Sequence, residues 1–456
     1  MSLGSEQHQK PAAKAGRVAS ALGEARCETA RDEELPARPD QTSWGPDLLA
    51  QALAKQNMAA AWKRVKANKG SAGVDGRTVE QTGEYLKGQW PAIRQSVFDG
   101  SYRPSPVRRV DIPKPGGGTR ELGIPTVVDR LIQQALLQVL QPLIDPTFSA
   151  HSHGFRPGRS AHGAVLEAHG YVQEGYTVVV DVDLEKFFDR VNHDVLMDRL
   201  AKRIAHKAVL RLIRRYLQAG VMEGGLHTER HEGTPQGGPL SPLLANVMLD
   251  EVDRALERRG HKFVRYADDC NVYVKSMAAG QRVLAGLKRC YAKLHLVVNE
   301  TKTAVAPVWR RKFLGYCFWI SPSGKVRRDV AEAAIKRYRQ RVRQLTRRQT
   351  GRSMDQIATA LREFIPGWKA YFQLTQTPST LRELDPWLRH RLRAIHLKQW
   401  CRGTTTFREL VKLGASRDMA AQIASSTRSW WRNSAQGLNR VLTIAYFDRL
   451  GVPRLC

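Results

Sequence analysis

The chain has 456 residues, 42% of them hydrophobic, 25% charged and 7% aromatic, which is enough apolar side chain for a large core but too much length for one compact domain. Lys and Arg number 73 against 43 Asp and Glu, a formal charge of +30 at pH 7 with a pI near 10.3. Such a surplus repels itself unless a polyanion is bound, so nucleic acid is the leading partner class. The uncharged run Leu131 to Ile144 carries four glutamines and a proline and falls short of the roughly 20 apolar residues of a bilayer span, so no membrane partner is expected.

Residues 1 to 45 are rich in Ala, Glu, Arg, Pro and Gln and nearly lack aromatic and β-branched side chains, a composition that predicts a flexible tail. No apolar block of a secretory signal is seen. The six cysteines (Cys27, Cys270, Cys290, Cys317, Cys401, Cys456) lack paired spacing, which argues against a disulfide scaffold or thiolate zinc site and for a reducing, cytoplasmic setting. Apolar residues recur at helical spacing from Leu48 to Val65, and Lys66 to Gly76 (KANKGSAGVDG) reads as a glycine-punctuated loop. A second helix is predicted over Val127 to Leu143, with Pro142 near its end.

Tyr176 to Asp183 (YTVVVDVD) is a β-branched run ending in two carboxylates, followed by a turn and a helix that Asn192 is placed to cap. Ser241 to Glu257 predicts an amphipathic helix with proline in its first turn. Phe263 to Ser276 (FVRYADDCNVYVKS) gives two β-type runs around an acidic centre, and further strands are expected at Leu294 to Val298 and Lys312 to Ile320. Strands and helices alternating over about 100 to 320 imply a mixed α/β (α+β) sheet domain. From Lys325 onward there are 27 basic residues against 9 acidic, at helical periodicity and with recurrent Trp and Tyr, as in proteins that track nucleic-acid backbones.

Asp181 and Asp183 close one strand, and Asp268 and Asp269 occupy the tip of a predicted hairpin. Adjacent carboxylates repel and are depleted from strands, so this placement demands compensating positive charge. An oxygen-only donor set without His or Cys suits a hard cation, Mg²⁺ above all, and a pair of such ions stabilises the attacking and leaving oxygens of an in-line phosphoryl displacement. Turn residues and helix caps are the bland alternative. His151, His153 and His162 are too loosely placed for a metal site, so the HGFRP stretch reads as a template-facing loop or as packing.

Tyr266-Ala267-Asp268-Asp269 resembles the YxDD box of reverse transcriptases, and other blocks follow the same order. RRVDIPKPGGGTRELGIPT (108–126) resembles the fingers block and HGFRPGRS (153–160) the next. Residues 180–193 resemble the palm block with its first catalytic aspartate, and GTPQGGPLSP (233–242) the block that shapes the nucleotide pocket. Asn299 to Lys302 and FLGY (313–316) complete the palm. Lys69 to Gly76 resembles the extra N-terminal block, and Arg337 to Phe372 with Trp387 to Trp400 the thumb and maturase domain, of group II intron-encoded proteins. The resemblance spans roughly 50 to 410. It implies a right-hand polymerase in which a tail (1–45) precedes fingers and palm (46–320), a helical thumb and maturase domain (321–410) and a small basic segment (411–456).

By this resemblance Asp183 and Asp268 hold two Mg²⁺ ions and Asp269 adds charge, with Asp181 the runner-up ligand. Phe188, five positions after Asp183, would exclude a ribonucleotide 2′-OH, or else packs beside Phe187. Lys114 and Arg120 flank a PGGG tip from which they would fold over the triphosphate, or are surface charge. Gln236 would aim its amide at the nucleotide or template, or supplies turn polarity. Lys302 would protonate the pyrophosphate leaving group, or is merely solvated. The implied partners are intron RNA, an RNA template, a DNA primer or target, and deoxynucleoside triphosphates. The implied activity is RNA-directed DNA synthesis with assistance to splicing; a splicing maturase with a vestigial polymerase site, or a domesticated reverse transcriptase serving phage defence or repair, are the rivals. The family's terminal His/Asn nuclease with cysteine pairs finds no counterpart before Cys456, so target cleavage is not expected and primers would come from nascent strands.

Overall fold

The computed structural model describes residues 47–113, 118–223, 226–228, 232–347, 351–426 and 429–455. The predicted tail and Lys114 lie outside the described residues. In chain order the first half holds helices α1 (Leu48–Ala52), α2 (Lys55–Ala67) and α3 (Val79–Phe98), strands β1 (Val107–Pro113) and β2 (Thr119–Ile124), then α4 (Val127–Ile144), α5 (Ala161–Gln173), β3 (Val178–Val182), α6 (His193–Ala201), α7 (Lys207–Gln218), β4 (Val221–Glu223) and β5 (Leu226–Thr228). The second half holds α8 (Ser241–Arg258), β6 (Lys262–Tyr266), β7 (Asp269–Val274), α9 (Met277–Lys293), β8 (Ala304–Pro307), β9 (Lys312–Phe313), β10 (Tyr316–Ile320) and β11 (Val326–Val330). Helices alone follow: α10 (Glu332–Leu345), α11 (Met354–Tyr371), α12 (Pro378–Trp400), α13 (Gly403–Lys412), α14 (Arg417–Ser425), α15 (Trp430–Gln436) and α16 (Ile444–Arg449).

Among the described residues the strands form three small sheets, ordered β2-β1-β4-β5, β6-β7-β3-β8 and β11-β10-β9. The fold is therefore mixed α/β, a fingers and palm arrangement followed by helices. In the palm sheet β3 is central and antiparallel to both β7 and β8. Strand alternation divides its side chains. Val178, Val180 and Val182 enter the main core with α4 and α8, whereas Val179 enters a second core with Ala164, Val165 and Ala168 of α5. Asp181 and Asp183 share the parity of Val179, so they belong to the α5 side of the sheet. The last helices have their own core, in which Tyr338, Leu361, Leu388, Leu410, Phe447 and Leu455 pack together on both sides of residue 410.

Three expected elements are corrected. The single helix over 48–65 is two, and Asn57 closes the break by donating from Nδ2 to Ala52 O (2.7 Å) and Ala135 O (3.0 Å). Leu294 to Val298 is not a strand: His295 adopts φ 57° after the end of α9, and only a bridge between Val298 and Leu184 forms. The run from Lys312 to Ile320 breaks at Leu314 and Gly315, both at positive φ (50° and 83°), giving β9 and β10. No helix among the described residues is long and apolar enough to cross a membrane.

Asn192 caps α6 as expected, accepting from Asp194 N and Val195 N at 3.0 Å each. Replacing this oxygen orphans two helix donors. Asn192→Ala should lower stability in chemical denaturation by about 1 kcal/mol, with Asn192→Ser retaining most of it.

Candidate active site

The site is built on the β6–β7 hairpin. Tyr266 pairs with Asp269, leaving Ala267 and Asp268 as a two-residue turn, and Ala267 sits at φ 58°, where side chains are strained. Neighbouring groups fix that conformation. The Arg265 side chain, 0% exposed, donates from Nη1 to Ala267 O at 2.9 Å and to Asn246 Oδ1 at 2.9 Å. Its Nε and Nη2 grip the buried Asp253 carboxylate at 2.8 and 2.5 Å. Asn246 in turn donates to Gly154 O at 2.9 Å. From the other side, residues 151–153 lie along Arg265, with Arg265 N donating to His151 O (2.9 Å) and His153 N to Arg265 O (2.8 Å). Position 154 must be glycine here, because a Cβ would stand 2.1 Å from Ala267 N.

The register of β3 against β7 sets the acids. Val182 faces Cys270 and Asp181 faces Asn271, so Asp183, one residue past the strand, comes opposite Asp269. Two of the acids are ion-paired directly, Asp181 and Asp183. Arg311 binds Asp181 Oδ2 through Nε (2.8 Å) and Nη2 (2.6 Å), and Lys302 Nζ lies 3.0 Å from Asp183 Oδ2. That Asp183 oxygen is buried and makes no hydrogen bond of good geometry. The Asp183 backbone is pinned by Thr303 Oγ1 (3.1 Å from its N) and by Asn299 N (2.8 Å to its O).

Burial raises the Asp268 carboxyl above its ordinary range and the Asp183 charge adds to this, while Arg120 opposes it. Burial in the cleft also lifts Asp269, and crowding by Asp268, Asp181 and Asp183 takes it to about 7, against the pull of Lys302. Asp269 is nonetheless the most open of the three acids across its whole surface. Among the described residues no group of three or more His, Cys, Asp or Glu side chains stands in an ion-holding arrangement. The donor set nevertheless fits a hard divalent cation, since it is all oxygen and crowds like charge that Lys302 and Arg311 offset only in part.

A cavity of about 930 Å³ opens from these acids, with Asp181, Asp183, Asp269, Lys302 and Arg311 on one wall. The facing wall comes from the β9–β10 turn and the helices after it, including Phe313, Arg337, Tyr338, Arg341 and Trp368. Tyr371 Oη donates to Leu314 O at 2.9 Å, and a Cβ on Gly315 would press on the Phe372 ring at 3.2 Å. The first thumb-like helices are thus seated directly on the palm.

Of the remaining predicted site residues, Arg120 is exposed on β2 and within electrostatic reach of Asp268. Phe188 is half-buried, edge-on to Phe187 at 5.1 Å between centroids; its carbonyl accepts from Thr234 N at 2.7 Å. Gln236 is half-buried, and its carbonyl accepts from Gly123 N at 2.9 Å, which ties the 233–238 loop to the fingers. Lys302 joins the acids. Lys114 lies outside the described residues. His151 and His153, read as loose, converge on Glu167, His153 Nε2 at 2.6 Å, with Tyr171 Oη donating to the same carboxylate at 2.7 Å. Burial opposes ionisation of Glu167, but these bonds prevail and hold it at about 2.

Sequence reasoning missed the positioning group Arg265, Asp253, Asn246 and Gly154, and also Arg311. An arginine inside the apolar run FVRY was the available signal, because a buried cation requires a buried partner.

Two family profiles match: reverse transcriptase (RNA-dependent DNA polymerase) over residues 112–318 and the group II intron, maturase-specific domain over 335–414. The chain belongs to the group II intron reverse transcriptase and maturase family. It is similar to Protein YkfC of Escherichia coli K12, at 38% identity over 191 residues, covering 41% of this chain and 50% of that protein. Group II intron-encoded protein LtrA of Lactococcus lactis is 37% identical over 206 residues, 45% of this chain and 34% of LtrA. The nuclear intron maturase 1, mitochondrial, of Arabidopsis thaliana is 26% identical over 208 residues, 34% of this chain and 29% of that protein. The chain thus matches half or less of the length of each of these relatives. A solved chain of the "Partial Cas6-RT-Cas1--Cas2 complex" aligns at TM-score 0.35 with 26% identity, over 53% of this chain and 42% of that one.

Two measurements check the site. Arg265→Met strands the buried Asp253 carboxylate and should cost about 3–5 kcal/mol in chemical denaturation, whereas Arg265→Met with Asp253→Leu should recover most of that loss. Because the folded Asp269 carboxyl titrates above its unfolded value, native protein binds more protons than unfolded protein between about pH 4 and 7, and stability drains away as pH rises through that window. Asp269→Asn should therefore gain melting temperature relative to wild type as pH climbs from 4 to 8, and the two proteins should coincide near pH 4.

Proposed function

We propose that this protein is an RNA-directed DNA polymerase of the group II intron type that also binds its intron RNA and assists splicing. The single observation that carries the polymerase reading is the crowding of Asp183, Asp268 and Asp269, which repel one another beside a cleft that Asp183 and Asp269 line, with Lys302 against Asp183. Asp183 and Asp268 would hold two Mg²⁺ ions, with Asp269 adding charge. Asp181, already engaged by Arg311, is the weaker ligand. When bound, Mg²⁺ supplies the positive charge that offsets the phosphates and favours ionisation of a primer 3′-OH.

The chain's own residues do the remaining work. Arg265 keeps the Ala267-Asp268 turn in its strained conformation, so the acids meet substrate already placed. Arg120 and Lys114 would approach the triphosphate from the fingers, and Lys302 would release Asp183 and deliver a proton to the departing pyrophosphate. Phe188 would lie beneath the sugar and refuse a 2′-OH, and Gln236 would meet nucleotide or template.

Partners on this reading are intron RNA, an RNA template, a DNA primer or target, and deoxynucleoside triphosphates. The proposed division is tail (1–45), fingers and palm (46–320), thumb and maturase domain (321–410) and a basic segment (411–456). The setting is the reducing cytoplasm, in keeping with free thiols at Cys270, Cys290, Cys317 and Cys401. A second reading, RNA binding for splicing with the polymerase site dispensable, is favoured by the maturase-specific match at 335–414.

Primer extension separates the two. Asp268→Asn with Asp269→Asn should reduce DNA synthesis on a primed RNA template by about a thousand-fold or more, with RNA affinity nearly unchanged. Wild-type protein that binds RNA but never extends the primer leaves only the splicing reading.

A further inference from the structure

A second cavity, of about 490 Å³, lies at the end of the β6–β7 hairpin remote from the acidic turn. Five cations line it: Arg259, Lys262, Lys275, Arg282 and Arg289. No Asp or Glu lines it, and none of the five is ion-paired among the described residues. The contrast lies on one helix. On α9, Lys288 pairs with Glu300 at 2.7 Å, whereas Arg282 and Arg289, seven residues apart and hence on one face, remain unpaired and exposed.

The arrangement is more than scattered surface charge. Lys275 Nζ sits over the Tyr176 ring at 5.3 Å from its centroid, and Lys262 Nζ over Tyr171 at 5.5 Å. These contacts orient two ammonium groups without neutralising them. Arg259 lies against α9 at Gly286, where a Cβ would meet its Nη1 at 3.5 Å, an ordinary contact. Arg282 and Arg289 are about 10 Å apart along the helix, more than one small anion spans, so the two guanidinium groups can reach separate phosphates of one strand.

We propose that this cavity seats the phosphate backbone of an RNA strand, apart from the catalytic cleft, so that the palm holds RNA on two sides. Phosphate recognition rests on the charge and shape of the cavity. The choice of RNA over DNA rests on the reading of the chain as an intron-RNA binder. Guanidinium groups suit phosphate through paired N–H donors, and each phosphate contact steepens the salt dependence of binding by about 0.7 to 0.9 in slope.

The test is fluorescence anisotropy of full-length protein with a structured RNA, and with DNA of the same length, from low to high salt. In Lys275→Glu/Arg282→Glu/Arg289→Glu, RNA affinity should fall at least tenfold and the log–log salt slope should flatten by about two to three, with melting temperature unchanged. A control with equal change in net charge, Lys87→Glu/Lys202→Glu/Lys288→Glu, reverses cations already paired to Glu84, Asp198 and Glu300 and should lose less than threefold. The inference is overturned by an unchanged slope, by an equal loss in the control, by a loss confined to DNA, or by wild-type protein without salt-sensitive RNA affinity. The last result also removes the RNA reading, whereas the others leave it standing.

Discussion

Like charges brought together on one strand face are the constraint around which the palm is arranged. Two unit charges 4 Å apart repel by about 4 kcal/mol at the effective dielectric of a protein surface, and here Asp181, Asp183 and Asp269 line one cleft and Asp268 adds its charge to Asp269. Arg311, just before β9, and Lys302, in the loop after α9, offset part of that cost. The remainder is expressed in the raised carboxyl of Asp269. Sites that concentrate unrelieved charge are where proteins place chemistry rather than stability.

Holding such a site open requires rigid support, and that support is internal. The Ala267-Asp268 turn is held on two sides: Arg265 spans from Ala267 O to Asp253 in full burial, and the Gly154 backbone abuts it. A buried ion pair is an indifferent source of stability, so its value here is geometric. The opposite wall is equally specified. Positive φ at Leu314 and Gly315 turns the chain beneath Tyr371 and Phe372, so the helical region meets the palm at the cleft and lines part of it.

Much of this was legible in the sequence because its signals were local. A β-branched run closing on DVD, a DD pair between alternating runs, and Asn before a helix each state their own structure. Strand alternation put Asp181 and Asp183 on one face, while the register of β3 against β7, which sets Asp183 opposite Asp269, came only with the structure. What escaped depended on partners distant along the chain. Nothing near Arg265 announces Asp253 or Asn246, and nothing near Asp181 announces Arg311, 130 residues on. Periodicity also misjudged single backbone torsions: His295 ends a run that looked extended, and Leu314 with Gly315 split another. His151 and His153, too loosely placed for a metal site, meet instead through Glu167, because residues 151–153 run beside β6 while α5 packs across it.

Divalent-ion binding addresses the central claim most directly, since it needs neither template nor primer. Titration with Mn²⁺, followed by the loss of its free-ion electron paramagnetic resonance signal, counts the ions bound and their affinity. Wild-type protein should bind two ions, competed by Mg²⁺, and Asp183→Asn/Asp268→Asn should bind neither appreciably. Equal numbers of ions bound at equal affinity by the two proteins would contradict the assignment of these carboxylates as the metal-holding centre.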